Sequence, residues 1–301
     1  MASAVWLSRL ALSFGALASA ALLAAAAVVA SRVQLSLPAS ERLLEACMQL
    51  MPAVTAPGVV VLAVLALVGA VVVRGVRAAV GVLAAQRRLR RELRVVDVRD
   101  AAGVRFGVIA GQAPRAFCGG LLRPRVYVSQ AALDALSARE LRAVLAHEDH
   151  HRRRRDPLRL AVGAVLADAF FFVPALRRLH ARYEAIAELA ADEAAVRSTD
   201  TSALAAAMLR FTAPQPSGAV GVAPERVDHL LGRHARWELP VAVCAGSLLI
   251  LGVLVAAAAA VAAQEVAVNV AVALIGSCML VMALAAIAAA AGIVVAYQRR
   301  A

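Results

Sequence analysis

Residues 137–156 of this 301-residue chain, SARELRAVLAHEDHHRRRRD, predict a helix that binds a metal ion. The Ser-Ala-Arg-Glu opening has the form of a capping box, which predicts a helix beginning after Ser137. On this helix His147 and His151 are four residues apart, so both imidazoles project from one face. Two histidines at this spacing can bind zinc, and Glu148 beside them can polarise a metal-bound water. The stretch therefore predicts a catalytic zinc site.

A second helix is expected to supply the third metal ligand, since a catalytic zinc uses three protein ligands and keeps one open position. Residues 183–193 read YEAIAELAADE. Glu188 is the expected ligand, and Asp192, one turn later, is expected to accept a hydrogen bond from the second nitrogen of a ligand histidine. Glu184 lies one turn earlier on the same face, so spacing alone leaves it open as the alternative ligand. Without the histidine motif, these acids would be interpreted as a solvated helix face.

The composition is that of a membrane protein. Apolar residues make up 62% and charged residues 17% of the chain, and the mean hydropathy is +0.76. A soluble domain has about 45–50% apolar and about 25% charged residues, so a soluble globular enzyme and a disordered chain are both excluded. Four segments, 11–30, 54–73, 240–263 and 266–297, are long and apolar enough to cross a bilayer as helices. The first is expected to be an uncleaved helix rather than a signal peptide.

The arginine distribution predicts the orientation in the membrane. All 32 basic residues are arginine, because the sequence contains no lysine, and the formal net charge is +12. Arginines crowd the segment 74–99 after the second span, whereas the 31–53 loop is nearly neutral. Arginine-rich segments stay on the cytoplasmic side, so the middle of the chain and both termini are expected to be cytoplasmic. Contact of these arginines with anionic lipid headgroups is expected, rather than direct binding of nucleic acid.

We expect a mainly α membrane protein with four transmembrane helices and a cytoplasmic α+β zincin-like metallopeptidase domain inserted between helices 2 and 3. The expected domains are an N-terminal transmembrane hairpin (1–73), the cytoplasmic zinc metallopeptidase domain (74–238) and a C-terminal transmembrane hairpin (239–301). Short strands are expected near 93–98, 104–110 and 125–128. The last is either an edge strand that pairs with extended substrate or an interior strand.

Residues 158–176 are apolar apart from Arg159 and Asp168 and lie between the two metal-binding helices. A single membrane crossing here would place His147 and Glu188 on opposite sides of the bilayer, where they could not share a metal. Asp168 would also make a lipid-exposed crossing costly. We therefore expect this segment to pack against protein or to lie in the cytoplasmic interface.

Over residues 113–232 the chain resembles the BlaR/MecR-type antirepressor membrane metallopeptidases, which signal beta-lactam exposure in bacteria. The resemblance is carried by AFCGGLLRPRVYVS at 116–129, ELRAVLAHE at 140–148, HRRRRDP at 151–157, FVP at 172–174 and ELAADE at 188–193. It implies a zinc endopeptidase of the gluzincin kind, with His147, His151 and Glu188 as metal ligands and Glu148 as general base. It also implies a cytoplasmic protein substrate that is a small DNA-binding repressor, with self-cleavage as a further option.

Related groups share part of this pattern. The prenyl-protease and heat-shock membrane peptidases also contain His-Glu-x-x-His and Glu-x-x-x-Asp, so quality-control proteolysis is the alternative function. The 117–129 block and the 152–156 arginine run favour the antirepressor type. Its best-known members carry an extracellular penicillin-binding sensor after the last span. Here only residues 298–301 follow that span and lysine is absent, so no such sensor is expected.

An oxyanion-stabilising residue is expected near the metal, and four residues are candidates: Arg226, His229, His234 and Tyr183. Arg226 resembles an arginine that lies downstream in the broader group, although a headgroup contact is its simpler interpretation. The four cysteines are scattered without a CxxC pair, so neither a disulfide framework nor a cysteine metal site is expected.

Two other function classes fit the sequence less well than a protease does. A zinc-binding membrane sensor without proteolytic activity should lack the general base, yet Glu148 is present. A transporter should carry polar residues along its spans, yet the four predicted spans contain no aspartate or glutamate. The expected partners are therefore the lipid bilayer and a cytoplasmic protein substrate.

Overall fold

The computed structural model describes residues 2–34, 56–211, 241–263 and 268–269, which are mostly helical and include a small mixed sheet. The helices are α1 (Ala2–Arg32), α2 (Ala56–Glu92), α3 (Gln130–Ala135), α4 (Ala138–Arg154), α5 (Asp156–Ala169), α6 (Pro174–Ser198), α7 (Thr201–Phe211) and α8 (Val241–Ala262). The strands are β1 (Val33–Gln34), β2 (Val95–Ala101), β3 (Val104–Ile109), β4 (Ala116–Gly119), β5 (Arg125–Ser129) and β6 (Val268–Asn269). The chain divides into two units: Met1–Ala18 with Val71–Ile250, and Ser19–Ala70 with Leu251–Ala301.

Three helices of the described chain are long and apolar enough to cross a membrane: Val5–Ser31, Val59–Glu92 and Val241–Ala262. They overlap three of the four predicted spans, and the fourth, 266–297, lies outside the described residues apart from 268–269. At 1.5 Å per residue, α2 is about 55 Å long, well beyond the roughly 30 Å hydrocarbon core of a bilayer. Its arginine-rich final turns can therefore lie outside the hydrocarbon while its first half spans it.

The second unit is formed by parts of these apolar helices. Small side chains of α1, α2 and α8 pack together in a buried cluster of Ala25, Val29, Val61, Val64, Ala258 and Val261. Strands β1 and β6 of the same unit pair in parallel, with Val33 opposite Val268.

A four-stranded sheet with the order β2-β3-β5-β4 forms one layer of the first unit. Strand β3 pairs in parallel with β5, while β2 and β4 join antiparallel at the two edges. Valines of β3 and β5 pack against α3, α4 and α7 in the cluster Val104, Phe106, Val108, Val126, Val128, Ala132, Leu136, Val144, Leu145 and Ala207. Residues 125–128 thus belong to an interior strand, which is one of the two alternatives that the sequence left open. Strand β5 pairs with β3 along one edge and with β4 along the other, so β4 forms the edge of the sheet.

Helix α4 begins with the predicted capping box. The Ser137 hydroxyl accepts a hydrogen bond from the Glu140 amide, and the Glu140 carboxylate accepts one from the Ser137 amide at 2.7 Å. The helix ends at Arg155, whose φ of 56° is left-handed, and α5 begins at the next residue, with Pro157 in its first turn. This sharp turn directs α5 back past the end of α4.

The apolar segment 158–176 packs against protein, as expected. It breaks into the end of α5, a turn at 170–173 and the start of α6, so it is not a single crossing. Arg74 of α2 donates to the Asp168 carbonyl at 2.9 Å and to its carboxylate at 2.5 Å. The buried Ser247 hydroxyl of α8 accepts a hydrogen bond from the Ala175 amide at 3.0 Å. A methyl group on Gly15 of α1 would come within 3.0 Å of the Leu166 side chain, so glycine permits this close approach.

Candidate metal centre

Helices α4 and α6 bring three candidate metal ligands together. His147 and His151 lie one turn apart on α4, and their Nε2 atoms are 3.2 Å apart. The Glu188 carboxylate of α6 approaches both, with one oxygen 3.6 Å from His147 Nε2 and the other 3.4 Å from His151 Nε2. Each of the three side chains offers one ligand atom, and these three atoms lie within 4.8 Å of one another.

These distances fit a tetrahedral zinc site. Zinc–nitrogen and zinc–oxygen bonds of about 2.0–2.2 Å place neighbouring tetrahedral ligands about 3.3–3.5 Å apart. The three observed separations, 3.2, 3.4 and 3.6 Å, bracket that value. A zinc ion held by these three residues would keep its fourth position open, as catalytic zinc sites require.

The structure also distinguishes the two acidic candidates on α6. Glu188 faces the histidines, whereas Glu184 has an exposed side chain and is not part of the group. One turn of helix separates them, and the rotation of α6 against α4 determines which of them meets the histidines.

Each histidine is held by a buried carboxylate at its second nitrogen. The Asp192 carboxylate, fully buried, lies 3.0 Å from His147 Nδ1. His151 Nδ1 lies 2.9 Å from Asp156, which is 1% exposed. The Tyr183 hydroxyl donates to the other Asp156 oxygen at 2.5 Å. Such carboxylates select the tautomer that leaves Nε2 free to bind a metal.

The electrostatics of the site follow from burial and these contacts. Burial by itself lowers the pKa of His147, but hydrogen bonds to Asp192 and Glu188 outweigh it and raise the pKa to about 9. Burial raises the pKa of Glu148, and the neighbouring His147 and His151 partly offset that rise. The backbone of Cys118 on edge strand β4 also contacts Glu148 and lowers its pKa. A raised carboxyl pKa suits a group that must take up and release a proton.

The pKa of Asp156 shifts downward, in the opposite direction to that of Glu148. Burial of Asp156 would raise its pKa, but the hydrogen bonds from His151 and Tyr183 outweigh this effect and lower the pKa. Burial and the contact with Asp156 together raise the pKa of Tyr183. Asp156 is therefore held as the anion and Tyr183 as the neutral donor.

The remaining predicted site residues have different outcomes. Arg226, His229 and His234 lie outside the described residues. Tyr183, the fourth oxyanion candidate, is buried and directs its hydroxyl at Asp156.

Two contributors, Asp156 and the Cys118 backbone, were missed in the sequence. Asp156 carries a detectable signal, since it is an acid directly after four arginines and directly before an apolar helix. The Cys118 contact is made by the backbone and has no such signal.

A sequence model of the family described as BlaR1 peptidase M56 matches residues 11–224, which is more than two thirds of the chain. The matched region includes both histidines, Glu148 and the acidic residues of α6. No curated protein and no solved structure matches the chain.

Proposed function

The chain belongs to the BlaR1 peptidase M56 family, and from this premise we propose that it is an integral-membrane zinc endopeptidase that cleaves a cytoplasmic protein. The observation that carries the proposal is the His147–His151–Glu188 group with Glu148 beside it. Family membership indicates a peptidase, and the spacing of the three ligand atoms supports zinc as its metal.

His147, His151 and Glu188 would hold the metal, and Asp192 and Asp156 would keep the two imidazoles in the binding tautomer. When bound, zinc polarises the scissile carbonyl and lowers the pKa of a water molecule to about 7. Glu148 would take the proton of the attacking water and return it to the leaving amine. The burial that raises the pKa of Glu148 favours this proton uptake.

An extended peptide would bind along β4. Among the described strands β4 pairs only with β5, so its other edge is open to a further strand. Edge strands bind peptides through backbone hydrogen bonds, which tolerate many side chains. Because the backbone of Cys118 on β4 contacts Glu148, a peptide on this edge would pass beside the general base.

The substrate proposed for this site is a transcriptional repressor, cleaved in a signal-dependent way. This part of the proposal is supported by membership of the BlaR1 peptidase M56 family. The alternative substrate class is damaged or misassembled membrane protein, as in the heat-shock peptidases.

We further propose a multi-pass cell-membrane protein with spans in the hairpins 1–73 and 239–301 and the peptidase domain, 74–238, in the cytoplasm. The apolar helices α1, α2 and α8 and the arginines after Arg74 support it. Reporters fused after Ala219 and at Ala301 should report a cytoplasmic location, and one inserted in 36–40 an external location. An external signal from Ala219 would rule out both the orientation and a cytoplasmic substrate.

The peptidase function is tested by comparing new protein N-termini in cells that express the wild type or Glu148→Gln at matched levels. N-termini that appear only with the wild type identify the substrate, and a DNA-binding repressor among them would support the antirepressor role. Fragments of membrane proteins alone would favour quality control instead. Identical N-termini in the two strains, with zinc bound in both proteins, would indicate a metal-binding sensor and contradict the peptidase.

A further inference from the structure

We propose that Asp156 and Tyr183 are a positioning pair that orients His151 for metal binding, an inference that rests on the proposed metal site. Neither residue touches the position that the three ligand atoms surround. Their effect would pass through the His151 imidazole.

The Asp156 carboxylate has a separate partner for each of its oxygens. Oδ2 lies 2.9 Å from His151 Nδ1, and Oδ1 accepts the Tyr183 hydroxyl at 2.5 Å. All three residues are buried, with exposed fractions of 8% or less. Hydrogen bonds to an ionised acceptor are roughly twice as strong as neutral ones, and a buried donor that loses its partner keeps the full desolvation cost. Rotation of the carboxylate would break both bonds, so its plane is determined by two neighbours.

The backbone places Asp156 where this contact is possible. His151 lies in the last turns of α4, and Asp156 is the first residue of α5. Arg155 between the helices has a left-handed φ of 56°, so the chain turns back sharply enough for the acid to reach the imidazole. The carboxylate is consequently held by the start of a helix rather than by a loop.

Tyr183 ties this arrangement to the other metal-binding helix. It lies on α6, five residues before Glu188, and its side chain is buried between the helices. The path from Tyr183 through Asp156 to His151 therefore connects α6, α5 and α4, whereas Asp192 connects α6 directly to His147. Each ligand histidine is thus oriented from α6, one directly and one through an intermediate acid.

The test uses the purified full-length chain in detergent, with Zn²⁺ affinity measured by competition against a chromophoric chelator. Asp156→Asn should weaken zinc binding about 10–100-fold, the usual effect of losing an outer carboxylate. Tyr183→Phe, which keeps the ring and removes only the hydroxyl, should weaken it about 3–10-fold, because Asp156 keeps one of its two hydrogen bonds. The Co²⁺-loaded Tyr183→Phe protein should show an altered visible absorption spectrum, since the ligand geometry around the metal changes.

A double variant separates positioning from general stability. If Tyr183 acts through Asp156, then Asp156→Asn/Tyr183→Phe should bind zinc much as Asp156→Asn does, whereas independent effects would multiply. The control is Ser129→Ala, which removes a buried hydroxyl with three hydrogen bonds at the start of α3, away from the metal residues. It should lower the unfolding temperature and leave zinc affinity unchanged.

Two results would overturn the proposal, and both leave the proposed function intact. One is a Tyr183→Phe protein with wild-type zinc affinity and a wild-type Co²⁺ spectrum. The other is a multiplicative loss in the double variant. A wild-type protein that binds no zinc would instead contradict the proposed metal site itself, so the two failures are distinguishable.

Discussion

Replacing Glu188 by alanine should weaken zinc binding about 100- to 1000-fold. Four-ligand zinc sites bind with about 10–16 kcal/mol, so one ligand contributes roughly 2.5–4 kcal/mol, or about two to three powers of ten in Kd. The structure assigns this effect to Glu188 because its oxygens lie 3.4 and 3.6 Å from the two histidine nitrogens. The same change at Glu184, whose side chain is exposed one turn away, should alter zinc affinity less than about twofold.

Asp192→Ala gives an intermediate case in the same series. Its carboxylate touches His147 at the nitrogen that faces away from the metal position. Loss of such a group usually weakens metal binding about 10–100-fold without abolishing it. The three variants should therefore rank Glu188→Ala, Asp192→Ala and Glu184→Ala in order of decreasing effect.

The assay is zinc competition against a chromophoric chelator with purified protein in detergent, together with the zinc content after dialysis. Circular dichroism of each variant checks that helix content is unchanged. A metal-free Glu184→Ala protein beside a zinc-loaded Glu188→Ala protein would show that α6 is rotated by one turn relative to α4. That outcome would refute the assignment of the third ligand and the packing from which it was derived.

Three further predictions concern the base, the start of α4 and the contact between α2 and α5. Glu148→Gln should retain about one equivalent of zinc by metal analysis, because a general base is not a metal ligand. The rate of proteolysis should fall by about 10²–10⁴-fold. A metal-free variant would show instead that Glu148 is needed to bind the metal. Ser137→Ala should lower the free energy of unfolding by about 1 kcal/mol through loss of the N-cap. Hydrogen bonds from Ser137 lower the pKa of the Glu140 carboxyl below its ordinary value of 4.5. The ionised Glu140 carboxylate should therefore stabilise the fold above about pH 4.5, and this contribution should be lost as the pH falls through the lowered pKa. Urea titrations at neutral and acidic pH would measure this contribution. If the free energy of unfolding of Glu140→Gln fell by as much at acidic pH as that of the wild type, the prediction would be refuted. Arg74→Gln should lower the free energy of unfolding by only about 0–1 kcal/mol, because the Arg74–Asp168 pair is partly exposed. A larger decrease, measured by thermal unfolding, would show that the contact is shielded from solvent.

Features set by spacing within one segment could be predicted from the sequence. The capping box at Ser137 and the shared helix face of His147 and His151 depend on the 3.6-residue period of a single helix, and both are present in the structure. The apolar helices follow from composition over about 20 residues, and three apolar helices of the described chain overlap three of the four predicted spans. The expectation that 158–176 packs against protein also came from the sequence, since two residues that share a metal cannot lie on opposite sides of a membrane.

What depends on the placement of one segment against another was decided only by the tertiary structure. Spacing allowed Glu184 as well as Glu188, and the rotation of α6 against α4 selected Glu188. The sequence left residues 125–128 as an edge or an interior strand, and pairing with both β3 and β4 made the strand interior. Asp156 reaches His151 because a left-handed residue, Arg155, turns the chain between two helices. Periodicity determines which side chains share a face, whereas the rotation and approach of two faces depend on packing between residues distant in sequence.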